Sequence, residues 1–244
     1  MMQDDRVPIN AINISKEQLE AFYQEVANIP SYKSRISGFG AALVFQFMED
    51  TGLRVSEAIH VRKKDIDFET RLLIVTRPKV SKRCKCATWK NKNDYSNSKT
   101  LEYADPACPD CHGKGRYKKP QKTTITPRIK DKLELYCQAF QDDDIIFPIS
   151  RVSLWEWAKK AGERVGLRIF VSKDEVDITN MFNHFFRALC TIRMKRDAAT
   201  EEFKEELIMA KRRDTYESHV DRYTKVDINY LLDWEKKVYG NKKV

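Results

Sequence analysis

The stretch Thr51-Gly52-Leu53-Arg54-Val55-Ser56-Glu57-Ala58 decides how this chain is interpreted. It follows an apolar run between Ala41 and Met48, and it places a single arginine among small and apolar residues. Glu57 stands three positions after Arg54, a spacing that lets the two side chains meet across one helical turn. An arginine in such surroundings either pairs with a buried carboxylate or is directed at a phosphate. The rest of the chain has to separate these two interpretations.

Composition narrows the class of protein. The 244 residues carry a net charge of +9, which favours a polyanionic partner. No apolar run approaches the roughly 20 residues that span a bilayer, and the acidic start at Asp4 and Asp5 is unlike a signal peptide. We therefore expect a globular protein of the cytoplasm or the host nucleoid that is neither secreted nor bound to a membrane. In such a chain the six cysteines favour metal binding over disulfides.

Local signals predict a mainly α domain with a small antiparallel β-sheet, an α+β fold that occupies residues 1–244. Ser15 and Gln18 form a capping box, and Pro127 stands at the first position of a later helix. The long Lys-, Asn- and Cys-rich segment at 80–120 needs something to order it, because structureless loops of that length are rare in compact domains. The first predicted helix covers about 15–27, the second ends near 52, and the third begins at about 56. Later helices are predicted at 127–140, from 150 or 153 to 166, and from 177 to beyond 192. The predicted strands are 72–75 and 123–125.

A second cluster lies in the apolar-periodic helix that contains Phe185 and Phe186. His184 and Arg187 are three positions apart and share one face of this helix. A lone pair of this kind is commonly a satisfied histidine beside an arginine with an apolar stem and a wet tip. Here the pair follows the Gly-Leu-Arg-x-x-Glu segment at Arg54 and precedes several tyrosines. In that order the chain resembles the catalytic domain of the tyrosine recombinases, the phage-integrase family.

The resemblance implies a lysine in the β-hairpin after the first arginine motif. Ile74 to Lys79 fits this element, with a strand, a turn containing proline and then the lysine. Lys79 is our choice, and Lys82 and Lys122 are its competitors. Glu57 is expected to orient an arginine without taking part in the chemistry.

The resemblance also implies a tyrosine nucleophile near the C-terminus. Tyr223 is our choice, because a polar segment precedes it and an amphipathic helix follows it. Tyr216 leaves little room for a separating helix, and we assign Tyr230 to packing within an apolar stripe. The family usually has a His or Trp shortly before the nucleophile, and this chain has none at that place. The candidates for this sixth catalytic position are His219, Lys211 and Arg212.

These residue types suit transfer of a phosphodiester. Two arginines, Arg54 and Arg187, would hold the non-bridging oxygens of a phosphorane, with His184 beside them. A cluster of cations favours the tyrosine phenolate, whose ordinary pKa is near 10. Lys79 would protonate the departing 5′ oxygen. The resemblance implies a phosphotyrosine intermediate, so neither ATP nor a catalytic metal is expected.

Four cysteines in two close pairs occupy the 80–120 segment. Cys84 and Cys86 form the first pair, and Cys108 and Cys111 form the second. Residues 108–115 have the sequence Cys-Pro-Asp-Cys-His-Gly-Lys-Gly, which resembles one Cys-x-x-Cys-x-Gly-x-Gly knuckle of the DnaJ zinc region. Four thiolates fill a tetrahedral zinc site and leave no open position, so we predict structural zinc. His112 is an alternative ligand. The many lysines of this segment suggest an additional contact with the DNA backbone, and Cys137 and Cys190 are assigned to the core.

We interpret the chain as a site-specific recombinase or integrase of double-stranded DNA with a zinc-knuckle insertion. Only about fifty residues precede Arg54, too few for the N-terminal DNA-clamping domain usual in the family. We expect a free monomer that forms a homotetramer on paired DNA sites, with residues 227–244 as an exchanged C-terminal tail. The alternative for this tail is a helix that packs on its own domain. Two alternatives stay open: DNA relaxation of the type IB topoisomerase kind, and an inactive zinc-containing DNA-binding protein.

Overall fold

The structure is a computed structural model that describes residues 14–29, 35–76, 82–90, 101–118, 120–167, 178–197, 207, 211 and 228–240. Side chains are described in these ranges except at 82–83 and 178–184. The chain divides into two compact units. The larger consists of Met1–Ile74 and Lys122–Val244, and the smaller of Val75–Gln121.

Seven helices are described in the larger unit, which makes the fold mainly α as predicted. They are α1 (Lys16–Asn28), α2 (Gly38–Thr51), α3 (Val55–Ala58), α4 (Pro127–Cys137), α5 (Arg151–Arg164), α6 (Ile178–Asp197) and α7 (Ile228–Tyr239). A 3-10 turn covers Lys63–Asp65. Their starts follow the local signals. Ser15 and Gln18 cap α1 reciprocally, and the Ser150 hydroxyl accepts from the Ser153 backbone N–H at the start of α5.

Helix α2 lies at the centre of the larger unit and packs against α1, α4 and α6. Nearly all of its length is buried, including Phe45 and Phe47. Its start approaches α1 so closely that a Cβ on Gly38 would lie 1.9 Å from the Ala27 carbonyl oxygen. It ends at Gly52, whose φ of 64° is left-handed, a conformation that favours glycine. This turn delivers Arg54 to the start of α3.

Three strands form the sheet of the larger unit in the order β1-β2-β7. They are β1 (Ile66–Asp67), β2 (Leu72–Val75) and β7 (Gln121–Thr124). Strand β1 pairs antiparallel with β2, with Ile66 opposite Leu73. The structure therefore places the predicted strands 72–75 and 123–125 beside each other, with their bounds shifted by up to two residues. The smaller unit runs from the last residue of β2, Val75, to the first residue of β7, Gln121.

The smaller unit contains two antiparallel two-stranded ribbons. Strand β3 (Lys82–Arg83) pairs with β6 (Arg116–Tyr117), and β4 (Ala87–Trp89) pairs with β5 (Leu101–Ala104). So few residues cannot form a large apolar core. Instead the buried centre of the unit consists of Cys84, Cys108 and Cys111, with Cys86, Ala87, Ala104 and Tyr117 packed against it.

Candidate functional site

The turn between α2 and α3 holds Arg54 by two bonds to Glu57. The Glu57 carboxylate accepts the Arg54 backbone N–H at 2.9 Å, and it pairs with the Arg54 guanidinium at 3.3 Å. The Glu57 side chain has no exposed surface, whereas that of Arg54 is 23% exposed. Glu57 therefore fixes both the backbone and the side chain of Arg54 while the guanidinium keeps access to solvent.

Arg187 reaches the same turn from α6. Its Nη1 donates to the Gly52 carbonyl at 2.9 Å, and the residue is 1% exposed. Phe185 and Phe186 are buried beside it, and the Phe186 ring lies 4.9 Å from that of Phe45 on α2. The packing of α6 on α2 thus brings the two arginine motifs together although they are far apart in the sequence.

A buried charge network that we did not predict lies at the end of α2. Arg193 Nη1 lies 3.1 Å from the Asp50 carboxylate, and its Nε lies 3.4 Å from Glu49. Arg128 pairs with Glu49 at 2.9 Å, and Tyr23 donates its hydroxyl to Glu49 at 2.7 Å. The signal available in the sequence was the polar pair Glu49-Asp50 directly after an apolar run.

The charges of this network set the pKa of its members. Burial alone would raise the pKa of Asp50, but Arg193, Lys211 and Arg128 outweigh it and hold that pKa below its ordinary value. Burial and the Glu49 carboxylate raise the pKa of the Tyr23 phenol well above its usual range. Asp50 is therefore an anion that braces the helix end before Gly52, and Tyr23 is a neutral hydrogen-bond donor.

Lys211 is part of the fold of the larger unit. Its Nζ lies 2.6 Å from Glu235 Oε1, 2.8 Å from Thr124 Oγ1 and 2.9 Å from the Thr124 carbonyl. Three acceptors use all three donors of an ammonium group, and the side chain has no exposed surface. The idea that Lys211 stands in for the missing His or Trp is therefore wrong for this conformation.

Helix α7 packs on the larger unit. Leu231, Trp234 and Val238 form a buried cluster with Cys190 and Met194. Tyr230 faces away from this cluster and is 42% exposed, so our assignment of Tyr230 to packing is wrong. The reason is periodicity, since Tyr230 lies one position before the buried Leu231 and falls on another side of the helix. Cys137 and Cys190 are buried, as predicted.

The remaining predicted residues have a less complete description. His184 lies in α6, but its side chain is outside the described residues, as is that of Lys82 in β3. Lys122 is exposed on β7. Five further candidates lie outside the described residues: Lys79, Arg212, Tyr216, His219 and Tyr223.

The four cysteines of the smaller unit form a compact cluster. The sulfurs of Cys84 and Cys108 lie 3.4 Å apart, as do those of Cys86 and Cys111. All four sulfurs lie within 4.8 Å of one another. Ligands at the usual Zn–S length would have sulfurs about 3.8 Å apart around a tetrahedral ion. The cluster therefore has the size of a zinc site.

The backbone around Cys108 favours the thiolate of this residue. Backbone amides of Cys111 and Asp110 are directed at the Cys108 sulfur and lower its pKa to about 7. His112 and Gly113 continue this turn with φ of 48° and 77°. His112 is exposed and is not a member of the described four-ligand cluster. The alternative in which His112 replaces a thiolate has no support in this geometry.

Comparison with known proteins gives one family. The model of the phage integrase family matches residues 13–104, a segment that contains Arg54 and Glu57 and ends before Cys108 and α6. No curated protein matches the chain. Among the described residues, no helix is both long and apolar enough to cross a membrane.

Proposed function

We propose that this chain, in which residues 13–104 belong to the phage integrase family, is a site-specific recombinase or integrase that cuts and rejoins double-stranded DNA. Family membership supports tyrosine recombination in general, with DNA as the partner. The observation that carries the specific proposal is the Arg187 bond to the Gly52 carbonyl, which brings the second arginine motif to the turn of Arg54. The DNA would be that of the cytoplasm or the host nucleoid.

The proposed reaction is a transesterification at one phosphodiester. The Tyr223 oxygen attacks the phosphorus, a bond to the tyrosine forms, and the bond to the 5′ oxygen breaks. Lys79 gives a proton to that leaving oxygen, and rejoining reverses these steps. Because the 3′-phosphotyrosine preserves the bond energy, neither ATP nor a catalytic metal takes part.

Arg54 and Arg187 would hold the two non-bridging oxygens, where negative charge develops. Arginine suits this role because it is permanently charged and bidentate towards phosphate. His184 is proposed to donate to one of these oxygens or to accept the tyrosine proton, and His219 is the candidate for the sixth position. Glu57 orients Arg54, as its two bonds suggest.

Access to Arg187 suggests a change on DNA binding. The residue is 1% exposed in the free chain, and a phosphate cannot reach a covered guanidinium. We therefore propose that engagement of DNA uncovers Arg187, so that the free chain is not yet arranged for cleavage. This agrees with a monomer that acquires activity only when it assembles on DNA.

The assembly that we propose is a homotetramer on paired sites, with residues 227–244 exchanged between protomers. Within one chain, α7 buries an apolar face and Glu235 bonds to Lys211, and these are the contacts that we propose the tail would make on a neighbour. Exchange would place the same contacts between neighbours. A head-to-tail contact of this kind closes into a ring when the rotation permits.

We propose that zinc binds Cys84, Cys86, Cys108 and Cys111 and has a structural role. The four donors fit the ion in type and in spacing, and backbone amides stabilise the thiolate of Cys108. When bound, zinc supplies folding free energy to a unit with little apolar core. The insertion at 80–120 would then be ordered independently of the recombination chemistry.

Trapping of the covalent intermediate tests the proposed function. A duplex nicked close to the cleavage site loses a short fragment after attack and leaves the protein attached to DNA. We expect a band of lower mobility on a denaturing gel with the unaltered chain and none with Tyr223→Phe, which should still bind DNA. Adduct that persists in Tyr223→Phe but disappears in Tyr216→Phe or Tyr230→Phe would reassign the nucleophile.

Two outcomes would favour the alternatives. Relaxation of supercoiled DNA without dependence on a specific site would indicate the type IB topoisomerase activity. Binding of DNA without any adduct, over a library of target sequences, would indicate an inactive zinc-containing DNA-binding protein.

A further inference from the structure

The positive charge of this protein is concentrated in the smaller unit. Val75–Gln121 contains 12 Lys and Arg against 4 Asp and Glu, a net charge of +8 out of the +9 of the whole chain. Four thiolates with one Zn²⁺ would add −2, which leaves the unit at +6. The larger unit, with more than four times as many residues, is close to neutral. An electrostatic partner of the chain would therefore act mainly on the smaller unit.

Charge is also concentrated within the smaller unit, on the β3–β6 ribbon. Arg83 and Arg116 are directly opposite each other in the antiparallel register, and Lys82 is opposite Tyr117. Like charges in directly opposite positions destabilise a ribbon. Lys118 follows β6 and is exposed. A ribbon with this pattern is relieved of repulsion when an anion binds across it.

Arg116 and Lys118 are the basic residues of the β3–β6 segment whose side chains are described. Neither forms a salt bridge with a described residue, and the Arg116 guanidinium instead lies 5.0 Å from the Trp89 ring centroid. In the larger unit, by contrast, exposed basic residues pair with acids, as Arg164 does with Glu25 at 2.9 Å. Lys118 is therefore an exposed positive charge, and the Arg116 guanidinium, whose Nε and Nη2 are buried, is not compensated by a described carboxylate.

The cysteine cluster continues directly from this ribbon. Cys84 follows β3, and its backbone N–H donates to the Gly115 carbonyl, just before β6, at 2.9 Å. Gly115 has a φ of 67°, which favours glycine, and it packs against Leu101. A Cβ at this position would lie only 2.6 Å from a Leu101 methyl carbon. A metal bound at the cluster would therefore hold the backbone register in which Arg83 is opposite Arg116.

From these observations we propose that the β3–β6 ribbon binds the phosphates of double-stranded DNA and that the metal-bound cysteine cluster holds it in the binding register. The inference rests on the proposed function for the choice of duplex DNA as the polyanion. A two-stranded ribbon also has the right width for the major groove. Contacts with phosphates carry no sequence information, so the ribbon supplies affinity, and the choice of target site lies elsewhere.

The test compares two charge-matched variants of the full-length, zinc-loaded chain. Arg83→Gln/Lys118→Gln removes two charges from the ribbon, and Lys159→Gln/Lys160→Gln removes two exposed charges from α5. Binding to a non-specific duplex is measured by fluorescence anisotropy between about 50 and 200 mM salt. We expect the ribbon variant to lower the magnitude of the salt slope by about two and the control to change it little. Zinc content is measured for both variants, and an unchanged content shows that the ribbon variant keeps its fold.

A second arm uses the unaltered chain after removal of zinc with a chelator. The proposal requires a loss of affinity comparable to that of the ribbon variant. Equal salt slopes in the two variants, full affinity without zinc, or tighter binding of single-stranded nucleic acid of the same length would each overturn it. The assay contains no cleavage step. A chain that binds as expected but forms no adduct would therefore contradict the recombinase proposal alone.

Discussion

The ammonium group of Lys211 and the carboxylate of Glu235 are 2.6 Å apart, and neither side chain has more than 1% of its surface exposed. Thr124 donates its hydroxyl to the same Glu235 oxygen at 2.7 Å, and Arg71 pairs with the other oxygen at 3.3 Å. One carboxylate on α7 thus joins the sheet, the segment around Lys211 and the C-terminal helix. The proposed nucleophile, Tyr223, lies in the sequence between the two members of this pair.

Replacement of Glu235 should be costly. Glu235→Ala leaves the Lys211 ammonium buried without its charged partner, and the loss in the free energy of unfolding should be about 3–5 kcal/mol. Asp233→Ala, at an exposed position of the same helix, is the control and should change stability by less than about 0.5 kcal/mol. Urea denaturation measures both. A loss below about 1 kcal/mol for Glu235→Ala would show that the pair contributes little.

Charge exchange between Lys211 and Glu235 tests whether the tail is exchanged between protomers. Lys211→Glu and Glu235→Lys each place like charges together and should each lose recombination. In an alternating ring with exchanged tails, a mixture of the two variants restores opposite charges at every junction, and activity should return. The double variant in one chain is the control for tolerance of the swap. An active double variant together with an inactive mixture would show that each tail stays on its own protomer.

Loss of an arginine at the candidate site should act on chemistry more than on folding. Arg54→Ala should lower the rate of adduct formation by at least about a hundredfold, because a preorganised cation no longer meets the developing charge. Arg54→Lys should also be impaired, since lysine cannot bind phosphate in a bidentate way. Arg164→Ala removes an exposed surface pair with Glu25 and serves as the control. Unchanged adduct rates in Arg54→Ala would remove Arg54 from the site.

Metal analysis of the purified chain should find one zinc per molecule. Cys108→Ser and Cys86→Ser should each lose the metal and expose the smaller unit to proteolysis, because in our proposal the bound ion supplies folding free energy to this unit. His112→Ala should retain the metal, since His112 lies outside the four-sulfur cluster. Zinc-free protein with four freely titrating thiols, or loss of zinc in His112→Ala, would contradict this ligand set.

Acid should weaken the fold through Asp50. Its folded-state pKa lies below the ordinary value of 3.8, so its contribution to stability is complete above that pH and is lost as the pH falls towards the folded-state pKa. Asp50→Asn should therefore cost several kcal/mol at neutral pH, where it leaves Arg193 without its closest carboxylate. The difference between the variant and the unaltered chain should shrink below about pH 4. A difference that is constant with pH would show that Asp50 is not a stabilising anion.

Much of the fold could be predicted because its signals are local. The Ser15–Gln18 capping box and Pro127 are read within a few residues of the helix starts that they determine. One residue of a type that usually caps a helix has a different role in this fold. Thr126 precedes α4 but forms no side-chain cap, because its hydroxyl bonds to the buried Asp50.

The part that escaped prediction depends on contacts between distant segments. Arg193 and Arg128 read as ordinary helix residues until packing brings them to Glu49 and Asp50. Lys211 was a candidate for the sixth catalytic position only while its acceptors on β7 and α7 were unknown. For the same reason the proximity of Arg187 to the Arg54 turn could be expected from the family resemblance but not from either motif alone.

The connection of the smaller unit has an evolutionary consequence. The chain departs after β2 and returns at β7, and these strands are neighbours in one sheet. A segment whose ends are adjacent needs no rearrangement of its host, and the entropy of closing a loop grows only slowly with its length. During evolution such a segment can be inserted, shortened to a turn or replaced by an unrelated sequence while the larger unit keeps its fold. The smaller unit, which carries most of the positive charge, can therefore change in evolution independently of the Arg54 turn in the larger unit.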